Sequence, residues 1–175
     1  MSESLLETLK YILPSIVVFL TAYLLMRSFF KNEKTKLDYQ VKANNKKELL
    51  PLRLQAYERL TVFMERITPV NIVPRVMKNN ATAINFQRQL VQQIRMEYEH
   101  NISQQIYVSD EVWHTVELVK DLLIKDIYQL TAGMPEGASA KDLSKRLLQY
   151  YMESDETIPT QRALLLINAE VKKLY

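Results

Sequence analysis

The sequence predicts an all-α protein, with one N-terminal transmembrane helix followed by an irregular cytoplasmic helical bundle of about five helices. Three observations carry this prediction. Between Tyr11 and Met26 the chain reads YILPSIVVFLTAYLLM, without a single charge. Beyond Leu49, apolar residues recur at spacings of three and four, the period of a helix that buries one face. Only 2 glycines and 6 prolines occur in 175 residues, too few for a sandwich of many turn-linked strands.

The anchor comes first. With Leu5, Leu6 and Leu9 on the near side, roughly 20 apolar residues are available, enough to cross a hydrocarbon core about 30 Å thick. A buried bundle helix would keep a polar face, and this stretch has none. Tyr11, Tyr23, Phe29 and Phe30 suit the two interfaces, Phe19 belongs to the anchor, and Arg27 can snorkel outward. Pro14 is expected near the helix start, where its missing N–H costs least. A cleaved signal peptide would need a basic start and a small-residue cleavage site, whereas this chain begins with acidic residues and continues into SFFKNEK. The expectation is a retained anchor in residues 1–30.

Charge gives the anchor a direction. Up to Lys10 the side chains sum to −1, whereas from Arg27 to Arg53 eight basic residues stand against three acidic ones. The positive-inside rule then predicts an N-terminus outside the membrane and everything beyond Arg27 in the cytoplasm. Residues 31–48 read as a basic juxtamembrane stalk. The net charge of +3 therefore belongs to this collar and not to the later domain, which argues against a nucleic-acid surface there.

The cytoplasmic helical domain is placed at 49–175. Its first helix carries Leu49, Leu52, Ala56, Leu60, Phe63 and Ile67, with Pro51 in its first turn, and stops at Thr68-Pro69. The following VNIVPRVM reads as irregular. Asn80 is expected to cap a helix with Ile84, Val91, Ile94, Tyr98 and Ile102 on one stripe. Ser109 or Asp110 caps another, with Val112, Val116, Val119, Leu123, Ile127 and Leu130 facing inward, ending at Gly133. Ser139 with Asp142 forms a capping box ahead of Leu143, Leu147, Tyr150 and Tyr151. Thr157 or Ile158 leads into Pro159 and a last helix through Ala163, Ile167, Val171 and Leu174. Asp155 and Glu156 before it and Lys172 and Lys173 at its end match the helix dipole. Ile102 to Val108 alternates like a strand, but no partner strand is in sight, so helix or loop is the reading.

Few residues could carry chemistry. With 0 cysteines, thiolate metal sites and cysteine nucleophiles are excluded. No phosphate loop, dinucleotide fingerprint or nucleophile elbow occurs, and neither a cofactor nor a small-molecule substrate is inferred. The sharpest pattern is two Glu-x-x-His units, Glu97 with His100 and Glu111 with His114. At i and i+3 a carboxylate and an imidazole share a helix face, as in di-iron bundles, and Glu58 and Glu65 are available upstream. Metal binding is the alternative these units raise; chance spacing among 20 acidic residues is the plainer account. The polar block Glu97 to Gln105 offers Glu99, Asn101, Gln104 and Gln105 as a recognition face for another protein or a second copy. The leading expectation is thus a membrane-anchored interaction or structural module, its partners the lipid bilayer and a protein.

Three blocks in this order also carry a resemblance: the ILPSIVVFLTAYLL anchor, LPLRLQAYERLTVFMERI (Leu50 to Ile67) and IRMEYEHNISQQIYVSDEVW (Ile94 to Trp113). The chain resembles a family of uncharacterised small single-pass inner-membrane proteins of the Bacteroidota type, catalogued as a domain of unknown function. The resemblance implies an inner-membrane location with the domain inside. It brings no activity, ligand or catalytic residue with it.

Overall fold

Why the chain coils where it does follows from its apolar spacing and its caps. The structure is a computed structural model that describes residues 2–78, 80–153 and 158–174; the side chains of 2–13, 35, 38, 39 and 42–46 lie outside the description. Among the described residues it contains six α-helices, one 3₁₀ helix and no strand: α1 Ser2–Ile67, α2 Pro69–Val76, α3 Ala83–Asn101, the 3₁₀ helix Ile102–Ile106, α4 Asp110–Ala132, α5 Ala140–Glu153 and α6 Pro159–Lys172. The fold is all-α, as the periodicity predicts. The chain divides into two compact units, 1–49 and 50–175.

In the first unit, residues 14–34 are exposed at every position. The segment Pro14–Lys34 is long and apolar enough to cross a membrane, and none of it is buried by protein. Phe19 is 71% exposed, with Tyr23 and Phe30 also bare. Tyr11 lies among the residues whose side chains are not described. The Thr21 hydroxyl donates to the carbonyls of both Val17 and Val18 at 2.9 Å, so a polar group in the apolar run is satisfied within the helix. Pro14 is not near the helix start. The helix begins at Ser2, so Pro14 removes a bond from an interior turn. Pro51 likewise falls inside a helix instead of opening one.

In the second unit, α1 contributes Ala56, Tyr57, Leu60, Phe63, Met64 and Ile67, all essentially inaccessible. Leu49 and Leu52, expected on this stripe, are exposed, so the buried face begins one turn later. The segment read as irregular is α2, with Pro69 at its first turn and Ile72 and Val73 buried. Proline is tolerated there because the first-turn N–H has no partner in any helix.

Helix α3 buries Phe86, Leu90, Val91, Ile94, Glu97 and Asn101, while Ile84 and Ile102 face solvent. The expected stripe was therefore rotated. Its cap also differs: Thr82 accepts from the Asn85 N–H, and Asn80 sits upstream in a left-handed turn with φ 64°. Ser109 caps α4 by accepting from Val112 N, and Gly133 follows its last residue. Ser139 and Asp142 cap α5 reciprocally: Ser139 N donates to Asp142 Oδ2 at 3.1 Å, and Asp142 N to Ser139 Oγ at 3.2 Å. Ile158 precedes Pro159 at the start of α6; Thr157, Asp155 and Glu156 lie outside the described residues.

The bundle closes with α3 against α2, α4 and α5, and α4 also against α5 and α6. Paired bonds Ala83 N to Ala138 O and Ala140 N to Ala81 O tie the starts of α3 and α5 together. Among the described residues, twenty-three apolar residues from α1 to α6 form one continuous buried cluster.

Candidate functional site

The polar end of α3 is where the sequence concentrates its chemistry, and the core stripe explains its geometry. Leu90, Ile94, Glu97 and Asn101 follow one another at four, three and four, so Glu97 occupies a position that helical spacing points inward. Its carboxylate is 10% exposed and is neutralised from two other helices. Arg66 at the end of α1 donates to both oxygens at 3.1 and 3.2 Å. Arg75 of α2 stands 3.7 Å away, and Gln93 donates one turn back. Burying a carboxylate without such partners would be prohibitive. The arginine heads keep contact with water, so the cluster works as a clasp on α1, α2 and α3.

Around it lies a groove of about 260 Å³ between α1 and α3, lined by Gln55, Glu58, Arg59, Arg66, Glu97 and His100 among others. Arg59 donates to the His100 carbonyl at 3.3 Å. Glu97, His100 and Glu58 thus share a groove, but the carboxylate a metal would need is already taken by arginine. Glu65 is elsewhere, its carbonyl accepting from Asn71. Glu111 is exposed at the start of α4, and His114 lines a separate depression with Glu117, Asp121 and Lys125. The two Glu-x-x-His units do not meet in one groove. Among the described residues, no three His, Asp or Glu side chains gather as a metal would require.

The expected recognition face also divides. Glu99 and Gln105 are exposed, whereas Asn101 and Gln104 are buried. Asn101 Nδ2 donates to the Glu97 carbonyl at 2.8 Å, sealing the last turn of α3 where its amide ladder runs out. Asn101 is buried because it continues the inward stripe of α3, and Gln104 is buried within the 3₁₀ helix that follows.

Next to the clasp is an aromatic cluster. The Tyr98 ring lies 5.6 Å from Trp113 and 6.3 Å from Phe63, with Lys120 Nζ 4.3 Å above it. Its hydroxyl donates to Glu117 at 2.8 Å. Burial, and then that carboxylate acceptor, push the Tyr98 phenol up to about 12. Tyr151 donates to Asp126 at 2.6 Å and is raised further, again by burial first.

The outer face of α4 was not singled out by its pattern. Leu118, 52% exposed, and Leu122 sit between two depressions, one holding His114, Glu117, Asp121 and Lys125, the other lined by Tyr150, Ile158, Pro159 and Arg162. The available signal was a four-residue leucine spacing falling off the buried stripe.

These features run across a chain that a family model matches from residue 3 to residue 174, described as a family of unknown function, DUF7935. The chain belongs to this family. Neither curated proteins nor solved structures yield a match. Membership of DUF7935 brings no activity with it.

Proposed function

We propose that this protein is a single-pass membrane protein of the bacterial inner membrane, whose cytoplasmic helical domain binds another protein or a second copy of itself. The observation that carries the proposal is the contrast between an apolar run exposed on all sides, 14–30, and a second unit that closes its own core. The first requires lipid to cover it; the second does not. The basic collar after Arg27 favours the domain inside and the acidic N-terminus outside.

The binding face that fits best is the outside of α4. It has two leucines at its centre and charged or aromatic side chains around them, the anatomy of an interface with an apolar core and a polar rim. Glu99 and Gln105 remain as exposed polar positions on the neighbouring end of α3.

Full-length protein, gently extracted from its own membrane and cross-linked, should carry a stoichiometric partner or a second copy. Leu118→Glu and Leu122→Glu should remove it without lowering the melting temperature of the domain. Retention of the same partner by both variants sinks the α4 face. A C-terminal fusion to a reporter active only outside the membrane should be silent, and activity would reverse the orientation.

A further inference from the structure

The outer face of α4 carries its charges in an order that points to a particular partner. Glu111, Leu118 and Lys125 stand seven residues apart, so they fall on one line of the helix at intervals of about 10 Å. All three are exposed. An acid and a base therefore flank a leucine at equal distances. Asp121 is answered within the chain, its carboxylate 3.1 Å from Lys120 Nζ. Among the described residues, neither Glu111 nor Lys125 takes part in an ion pair.

A second α4 laid against the first satisfies that order in one direction and one register. In a parallel pair, Glu111 and Lys125 would each meet their like, which disfavours the complex. In an antiparallel pair with its two-fold axis at Leu118, the leucine meets its own copy. Glu111 then meets Lys125 on both sides of the axis, and His114 falls opposite Leu122. An axis at Lys120 or Leu122 still brings leucines together, but Glu111 then faces Gln129 or Gly133, and Lys125 faces Thr115 or Val119. Charge therefore selects the Leu118 axis. Relief agrees with it: Leu118 and Leu122 form a ridge beside a depression of about 190 Å³, walled by Tyr150, Ile158 and Pro159. A ridge beside a depression is a shape that a two-fold axis uses twice.

From this we propose that the partner of the α4 face is a second copy of this chain, the two α4 helices packing antiparallel about a two-fold axis at Leu118. The proposal rests on the reading that this face binds protein, and the test separates the two. The absence of cysteine from the chain lets single substitutions report without a background change. Full-length protein in its own membranes is oxidised to form disulfides. Leu118→Cys should link to its own copy, because facing positions on two packed helices come within disulfide reach. Glu111→Cys and Lys125→Cys, each about 21 Å from its own copy in this pairing, should link several-fold less when alone. Expressed together under different tags, they should link to each other. Glu111→Lys and Lys125→Glu should each lower Leu118→Cys linking several-fold, with an unchanged melting curve. Co-expression of these two charge variants should restore it, since both mixed contacts are then of opposite charge. Glu111→Cys linking to itself as well as Leu118→Cys does, or charge variants without effect, overturns the antiparallel pairing. A photo-crosslinker at residue 118 that captures a different protein, with no Leu118→Cys dimer, overturns the second copy and leaves the protein-binding face standing. No product of either kind overturns both.

Discussion

Residues 14–30 and 56–67 belong to one helix, and both are rich in large apolar side chains, yet their surroundings are opposite. In the first stretch every side chain is exposed; in the second, Ala56, Tyr57, Leu60, Phe63, Met64 and Ile67 are sealed. The difference lies in the arrangement of apolar residues, more than in their number. Glu58, Arg59, Glu65 and Arg66 interrupt the second stretch at helical intervals, leaving one stripe for α3 and its neighbours to cover. The first stretch has no such interruption until Arg27, so no polar face marks one side of it for solvent. One pattern specifies a protein core; the other leaves a segment long and apolar enough to cross a membrane.

The sharpest way to break that comparison is to hollow each stretch. Phe63→Ala should destabilise the domain by about 3–5 kcal/mol, read as a lower midpoint in chemical denaturation, because a fully enclosed ring leaves a cavity. A loss below about 1 kcal/mol would mean that α1 is not part of the core. Glu97→Ala should cost less, roughly 1–2 kcal/mol, since the freed arginines can turn to water. A double-mutant cycle with Arg66→Ala should recover much of that cost as coupling between the two.

Tyr98 gives a pH test of the same packing. Its phenol ordinarily ionises at 10.0 and is held neutral in the fold up to about 12. The unfolded chain therefore releases the proton first as pH rises. The stabilisation is fully present below pH 10 and is lost as pH climbs from there through about 12. Tyr98→Phe should flatten this part of the alkaline melting profile, and an unaltered profile would remove the hydrogen bond to Glu117 from the account. The smallest effect is expected in the apolar span. Phe19→Ala should leave the unfolding free energy of the domain within about 0.5 kcal/mol, since an exposed side chain leaves no cavity when removed.

Helix identity was legible because local spacing decides it. The capping box at Ser139, the Ser109 cap, the stop after Ile67 and the buried valines of α4 all depend on neighbours within a turn or two. The errors share a different cause. Leu49, Leu52, Ile84 and Ile102 fit a helical period as well as their buried neighbours do, and only contacts with other helices choose which stripe turns inward. The same holds for Pro69–Val76, which is too short to display a period of its own.

The candidate site divides along that line. That Glu97 and His100 share a helix side, and that 101–109 is uncharged, follow from the chain alone. That Glu97 is clasped by Arg66 and Arg75, 31 and 22 positions upstream, depends on α1, α2 and α3 meeting at one corner. That Gln104 is internal while Ile106 stands bare depends on the tightening of the chain into a 3₁₀ turn after Asn101. By itself the sequence determined the all-α class, the apolar span and most helix ends, because these are settled within a few residues of chain. Which polar groups are scaffold and which apolar groups face outward was decided only by tertiary structure, since burial depends on residues distant in sequence.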